Sequence, residues 1–118
     1  MSEFVYLFRS TLDQQRQAMG TPEDAQKSMQ AMLDWMRRLE ERGHLKSPGQ
    51  PLEMSGRVLR GQERTVIDGP YAEAKDIVLG FIVVEARDLD HAVELAADCP
   101  MVLGGAAVEV RPVATPML

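Results

Sequence analysis

Apolar positions that recur with a period of two predict strands near both ends of the chain and after its midpoint. Residues 3–9 and 77–85 are apolar at odd and even positions alike, which is typical of strands covered on both faces. Residues 106–113 predict the last strand. Residues 57–60 and 64–67 flank a Gly-Gln-Glu turn, and this arrangement predicts a hairpin.

Two amphipathic patterns predict helices between these strands. The first starts at Thr21, an N-cap followed by Pro22 in the first turn, and ends at Gly43, a left-handed C-terminal cap. The second follows Asp88, whose carboxylate can cap it, and ends before Pro100. Residues spaced three and four apart predict the buried stripes, namely Ala25, Met29, Met32, Met36 and Leu39 in the first helix and Leu89, Ala92, Val93, Ala96 and Ala97 in the second.

The order of these elements predicts the fold class. A chain of 118 residues fits one domain, so residues 1–118 are expected to fold together. Strand, helix, two strands, helix and strand is the β-α-β-β-α-β order of a ferredoxin-like α+β sandwich, here with one extra strand. Residues 47–51, which include two prolines and a glycine, are predicted to be a loop.

The strand pattern also predicts an oligomer. Two helices cover only one face of such a sheet, although residues 4–8 and 77–84 are apolar on both faces. The uncovered face would expose an apolar patch on the order of several hundred Å², about the largest that soluble monomers carry. We therefore expect a homodimer in which two sheets pack face to face.

Composition narrows the class of protein. A content of 45% hydrophobic and 26% charged residues is typical of a soluble globular domain. A formal net charge of −5 argues against direct nucleic-acid binding, which needs a basic face. The single cysteine, Cys99, cannot form an internal disulfide, and neighbouring Asp98 disfavours a reactive thiolate. No segment has the length of a membrane span, so we expect a cytoplasmic protein with no membrane partner.

The densest cluster of ionisable groups begins at Asp68 and ends at Asp76, beside a Gly-Pro turn. Asp68 is either a general base or the acceptor of an Asx-turn. Lys75 either binds an anionic ligand or pairs at the surface with Glu73 or Asp76. Tyr71 either offers its hydroxyl to a ligand or packs its ring. We therefore treat Asp68 as a catalytic candidate and Tyr71, Glu73 and Lys75 as ligand-binding candidates.

Two further candidates lie outside this cluster. His44 follows Gly43 at the end of the first predicted helix. Either the helix terminus alone explains its position, because it favours a positive charge, or His44 titrates near neutrality as an acid or base. Arg111 shares one strand face with Glu109, and it either binds a ligand carboxylate through its planar fork or pairs with Glu109. No metal or other cofactor is expected, since His91 has no nearby His or Cys in the sequence to complete a metal site and no nucleotide-binding motif occurs.

The segment from Asp68 to Asp76 resembles the DGPFAETKE signature of the YCII-related, or DGPF-domain, family. It departs from the signature at Tyr71 for Phe, Ala74 for Thr and Asp76 for Glu. Five other stretches follow in the family's order and extend the resemblance over nearly the whole chain, namely Tyr6-Leu7-Phe8-Arg9, residues 39–43, Gly80-Phe81-Ile82, Asp88-Leu89-Asp90 and Glu109-Val110-Arg111-Pro112-Val113.

The resemblance implies a ferredoxin-like fold of the dimeric α+β barrel type. The wider family implies a catalytic histidine and aspartate pair, with the histidine in the first helix. Residues 21–42 contain Asp34 but no histidine, so the pair is not carried over to this chain. Family members are often encoded beside extracytoplasmic-function sigma factors, so the resemblance implies a sigma factor as a protein partner.

Two functions agree with these observations. The first is binding of a small polar or anionic molecule in a cleft beside residues 68–76, with or without a chemical reaction. The alternative is a regulatory or interaction module, whose acidic surface meets a basic protein partner such as a sigma factor.

Overall fold

The computed structural model describes residues 1–69 and 76–115, which form six strands and four helices. The strands are β1 (Ser2–Ser10), β2 (Leu45–Pro51), β3 (Gly56–Arg60), β4 (Thr65–Gly69), β5 (Ile77–Ala86) and β6 (Ala107–Pro112). The helices are α1 (Leu12–Ala18), α2 (Pro22–Glu41), α3 (Leu89–Ala96) and α4 (Pro100–Leu103). The predicted α+β class is confirmed.

Four strands form one antiparallel sheet in the order β2-β5-β1-β6, and β3 and β4 form a separate two-stranded hairpin. The central strands β1 and β5 are the two that the sequence predicts to be apolar on both faces. The predicted hairpin is confirmed, although it lies outside the main sheet. This strand order is consistent with a ferredoxin-like fold.

β2 was predicted to be a loop, and that prediction is wrong. Its glycine, Gly49, has a φ of 56°, and its register against β5 shifts between Leu45 and Ser47 and again between Ser47 and Gln50. β2 lies at the edge of the sheet, where the missing N–H of a proline such as Pro48 is tolerated. Irregular pairing at an edge therefore accommodates residues that ordinarily interrupt a strand.

α1 occupies a glutamine-rich stretch in which the hydrophobic pattern predicts no element. Thr11 Oγ1 accepts a hydrogen bond from the Gln14 N–H at 3.1 Å, and the Gln14 side chain accepts one from the Thr11 N–H at 3.4 Å. This reciprocal capping box stabilises the first turn. Because α1 buries none of its residues, its sequence carries no apolar stripe.

The long helix α2 begins and ends as predicted. Thr21 Oγ1 accepts a hydrogen bond from the Asp24 N–H at 3.0 Å, and Gly43 has a φ of 79°. The stripe prediction is only partly correct. Leu39 is buried and Met32 and Met36 pack against the core, but Met29 is 61% exposed and fully buried Trp35 takes the central place. Helix packing therefore centres on Trp35.

The second predicted helix is α3. Asp88 Oδ1 accepts a hydrogen bond from the His91 N–H at 2.8 Å, which confirms the predicted cap. Ala92 and Ala96 are buried as predicted, together with Leu95. The predicted burial of Leu89, Val93 and Ala97 is wrong, since all three are exposed.

The core lies between the helices and one face of the sheet. Tyr6 stacks on Trp35 with ring centroids 6.2 Å apart, and Phe8 meets Trp35 edge-on at 6.3 Å. The polar ends of both large rings are satisfied, because the Tyr6 hydroxyl donates to the Ala92 carbonyl and Trp35 Nε1 donates to Asp98 Oδ1 at 3.0 Å. Strand residues that alternate with Tyr6 and Phe8 therefore face away from the helices.

Buried Tyr6 predicts a loss of stability at alkaline pH. Burial first, and then the nearby Cys99 and Asp98, raise the pKa of Tyr6 above its usual value. The unfolded state therefore loses this proton at about pH 10 while the folded state keeps it, so the free energy of unfolding should fall by about 1.4 kcal/mol per pH unit above that point. Guanidinium denaturation between pH 8 and 12 measures the slope.

The control for this measurement removes the other buried acid. Burial also raises the pKa of Cys99, which would add a loss of the same sign from a lower pH. The comparison is therefore between Cys99→Ala and the double variant Cys99→Ala with Tyr6→Phe. An equal alkaline slope in both proteins would show that Tyr6 does not cause it.

Among the described helices, none combines the length and the apolar character needed to cross a membrane.

Candidate functional site

The sheet face turned away from the helices, here called the open face, has an apolar centre. Val5 pairs with Val83, and Leu7 pairs with Phe81, across the central strands β1 and β5. All four are only partly buried, in contrast to the fully covered residues that alternate with them. The open face is therefore an apolar surface without a covering layer among the described residues.

A chain of ionic contacts crosses one end of the open face. Arg9 Nε and Nη2 donate to Asp76 Oδ1 at 3.0 and 2.9 Å, and Arg9 Nη1 donates to Glu109 Oε1 at 3.1 Å. The hydrogen bond to Asp76 is the main cause that raises the pKa of Arg9, so its guanidinium stays charged. The Arg9 side chain is only 28% exposed, so its ionic contacts are partly shielded from solvent.

Arg111 ends this chain of contacts. Its Nε lies 3.9 Å from Glu109 Oε2, which is too far for a hydrogen bond, and its side chain is 66% exposed. Arg111 pairs with Val5 in the sheet, so it stands beside the apolar centre of the open face. Its planar fork can therefore donate to a carboxylate placed on that face.

Three elements that are distant in the sequence build this cluster. β1 carries Arg9 near its end, Asp76 precedes β5, and β6 brings Glu109 opposite Leu7. The antiparallel register places Arg9 and Asp76 together at one end of the sheet, and Glu109 and Arg111 follow along the edge strand β6 toward the middle of β1. We call Arg9, Asp76, Glu109 and Arg111 the arginine cluster.

Of this cluster, the sequence predicts Arg111 as a ligand-binding candidate and Asp76 as a surface partner of Lys75. It does not predict a role for Arg9. One signal was available for Arg9. It follows the apolar residues Val5 and Leu7 at steps of two, so a charge ends the outward-facing row of an otherwise apolar strand.

Asp68 lies apart from this cluster, on the hairpin. It pairs with Arg57 across the two strands, and Arg57 Nη1 donates to Asp68 Oδ1 at 3.0 Å. The Asp68 side chain is 91% exposed. The segment that starts at Asp68 and ends at Asp76 thus has its two terminal acids paired with different arginines. Tyr71, Glu73 and Lys75 lie outside the described residues, and their roles stay predictions.

His44 lies just before β2, at the opposite end of the sheet from Arg9. Its Nδ1 donates to the Glu85 carbonyl at 2.9 Å, and its ring stands 5.2 Å from the ring of His91. Glu85 pairs with Glu3, six residues before Arg9 on β1. This separation is about 20 Å along the strand. His44 also contacts His91 of α3, on the helix side of the sheet, so the structure does not bring it into one site with the arginine cluster on the open face.

The contact between the two histidines was not predicted. His91 Nδ1 accepts a hydrogen bond from the Arg87 N–H at 3.1 Å, so neutral His91 carries its proton on the other ring nitrogen. An open cavity of about 350 Å³ lies beside His91, and its other lining residues are Arg42, Glu94, Leu95, Ala97 and Asp98. In residues 1–69 and 76–115, no three His, Cys, Asp or Glu side chains form a group that could hold a metal ion.

Comparison with known proteins defines the class of this chain. The YCII-related domain matches residues 5–115, so the chain belongs to the YCII-related family, and the predicted membership is confirmed. The chain is also similar to an uncharacterised protein of Rhizobium meliloti, with 40% identity over 53 residues. That match covers 44% of this chain and spans 43% of the length of the curated relative.

Proposed function

We propose that this YCII-related protein binds a small organic acid on the open face, with Arg111 holding the acid's carboxylate. The observation that carries the proposal is the order of contacts in the arginine cluster. Asp76 and Glu109 accept hydrogen bonds from Arg9, whereas Arg111 makes only a long contact with Glu109. Arg111 thus keeps its five N–H donors for a ligand, whereas Arg9 uses three of its five.

The remaining members of the cluster position Arg111. Asp76 fixes Arg9 through two hydrogen bonds, and Arg9 fixes one oxygen of Glu109, which leaves the other oxygen facing Arg111. The four charges sum to zero. Affinity should therefore come from directed hydrogen bonds more than from long-range attraction, and it should depend only weakly on salt.

The apolar centre of the open face defines the rest of the ligand. Val5 lies directly opposite Arg111, and Leu7 and Phe81 continue the apolar surface from there. An acid whose carboxylate meets Arg111 can therefore lay a hydrocarbon or aromatic body on this surface and bury it. The chemical class that fits is a small monocarboxylic acid with an apolar body.

Replacement of Arg111 by methionine is expected to weaken binding of such an acid by about 10- to 100-fold, because a hydrogen bond to a charged group contributes about 1.5–3 kcal/mol. Isothermal titration with benzoate, phenylacetate and hexanoate measures the affinities. The matching primary amides should bind at least tenfold more weakly to the unmodified protein, since they lack the carboxylate charge.

Arg37→Met is the matched control for this substitution. Arg37 is also exposed and also contacts a carboxylate, that of Asp34, but it lies on α2. The Arg37→Met substitution removes the same charge as Arg111→Met, and it should leave the affinity for the acid unchanged. Equal binding by the Arg111→Met and Arg37→Met variants would contradict the proposal. If no acid or amide binds, docking of a basic protein partner such as a sigma factor becomes the function to test.

A homodimer with the open faces packed together is the second part of the proposal. The half-buried apolar residues Val5, Leu7, Phe81 and Val83 support it, as does the strand order, which fits a ferredoxin-like sandwich of the dimeric α+β barrel type. The partner sheet would cover most of the apolar centre and leave a cleft beside the arginine cluster, in which the apolar body of the acid would lie between the two sheets.

A further inference from the structure

We propose that the β3–β4 hairpin is an arm that packs on a second copy of the chain and completes the dimer interface. This inference rests on the proposed homodimer and adds to it an element that neither the apolar open face nor the arginine cluster contains. The arm is residues 56–69.

The arm has little packing support among the described residues of its own chain. Among the described residues, β3 and β4 pack closely only against each other. Leu59 and Val66, which face each other across the two strands, are 65% and 58% exposed. A lone two-stranded hairpin is marginally stable in water and needs a further packing surface. Within residues 1–69 and 76–115, the arm therefore lacks the further packing surface that a lone hairpin needs.

Both faces of the arm carry an apolar pair. Leu59 and Val66 share one face with the Arg57–Asp68 ion pair, and Val58 and Ile67 share the other. A hairpin that lies on the protein surface is ordinarily polar on its solvent side. Since the pair of Leu59 and Val66 is the more exposed, it is the face that a partner would cover.

The outline of the chain agrees with a projecting arm. The radius of gyration is 15.7 Å, whereas a compact domain of this length has a value of about 13.5 Å. The principal extents are 48 × 44 × 19 Å, so the molecule is broad and thin. A thin body has a large face available for contact and little depth in which to bury an extra hairpin.

The arm leaves the sheet at the same end as the arginine cluster. Just before the arm, the Leu52 N–H donates to the Leu79 carbonyl at 2.7 Å. After the arm, the chain returns to Asp76, which holds Arg9, and Ile77 then pairs with Ser10. The arm is thus next to one edge of the proposed dimer interface.

The size of a stable interface favours a contribution from the arm. About half of the residues in the four sheet strands face the open side, which is about sixteen residues. A stable interface takes about 20–30 residues on each side. One face of the arm adds about five residues, which brings the total into that range.

The charges of these surfaces favour a second copy over another partner. The open face and the arm carry cations and anions in equal numbers, namely Arg9, Lys46, Arg57, Arg60, Arg64 and Arg111 against Glu3, Glu63, Asp68, Asp76, Glu85 and Glu109. A strongly basic or acidic partner would find no field of opposite sign. In a two-fold symmetric dimer, each cation can instead meet an anion on the partner's copy of the same surface.

The test compares the oligomeric state of two double variants. Leu59→Lys with Val66→Lys places charges on the arm, and Leu103→Lys with Val93→Lys makes the same changes at exposed positions of α4 and α3. Sedimentation equilibrium is expected to show a dimer for the unmodified chain and for the helix variant. The arm variant should raise the dimer dissociation constant at least tenfold.

Hydrogen exchange of the unmodified chain provides a measurement that needs no substitution. The hydrogen-bonded backbone amides of β3 and β4 should be protected from exchange when the protein concentration is above the dimer dissociation constant. They should exchange faster after dilution below it. Amides of β1 and β5, in the centre of the sheet, should change less because the sheet pairs them on both sides.

The outcomes separate the arm from the dimer. If the arm variant dimerises as tightly as the unmodified chain, and dilution does not change amide exchange in β3 and β4, the arm is contradicted and the homodimer stands. If the unmodified chain is monomeric at about 100 micromolar, a concentration at which weak dimers form, the arm and the homodimer are both contradicted. Acid binding at Arg111 is measured separately by titration, so a failure of the acid site can be told from a failure of the arm.

Discussion

Replacement of Trp35 by alanine is expected to lower the free energy of unfolding by about 3–5 kcal/mol. Trp35 is fully buried, stacks on Tyr6 and meets Phe8 edge-on, and its indole N–H donates to Asp98. The substitution leaves a cavity between α2 and the sheet and removes both ring contacts. A domain of this size has about 5–15 kcal/mol of stability in total, so the loss is a large share.

The matched control is Met29→Ala, which removes a large apolar side chain from the exposed face of the same helix. Its effect should stay within about 0.5 kcal/mol. Urea denaturation followed by far-ultraviolet circular dichroism measures both variants, since Trp35 is the only tryptophan and its loss removes the fluorescence signal. Similar losses for the two variants would contradict a core centred on Trp35.

Replacement of Gly49 by alanine is the second large expected effect. Gly49 has a φ of 56°, and a Cβ atom there would lie 1.7 Å from the carbonyl oxygen of Phe81. Backbone of β2 or β5 must move to relieve that overlap, so the pairing of these strands should break locally. We expect a loss of about 3 kcal/mol or more in the free energy of unfolding, because strain at a special backbone position adds to the steric overlap.

Gly43→Ala separates the two causes of that loss. Gly43 also has a positive φ, 79°, but no atom lies within 4 Å of a Cβ built there. Its substitution adds only the left-handed backbone penalty, which is about 1–2 kcal/mol. Urea denaturation of both variants gives the difference. Equal losses would show that the close approach of Gly49 to Phe81 does not contribute.

The sequence predicts the elements whose stability comes from burial or from strong local signals. β1 and β5 are recognisable because they are apolar on both faces, and α2 and α3 because Thr21 and Asp88 cap them. β2 and α1 were not predicted. The first pairs irregularly at a sheet edge, and the second buries no side chain, so neither has a regular apolar pattern.

The candidate site shows the same limit more sharply. Sequence analysis centred on the segment between Asp68 and Asp76, and Asp76 does belong to the arginine cluster. Its partner Arg9 lies 67 positions away along the chain, and only the register of β1 with β5 and β6 brings them together. Pairings between distant strands are set by the whole fold, so local motifs do not reveal them.

The chain measures only 19 Å along its shortest axis. In the proposed dimer, this thinness would make the free energy of unfolding depend on the protein concentration. One helix layer and one sheet give each chain a core on only one side of the sheet, and the other side becomes interior only when two chains meet. The free energy of association is then part of the free energy of folding. Melting temperatures of the proposed dimer would therefore be comparable only between samples of equal concentration.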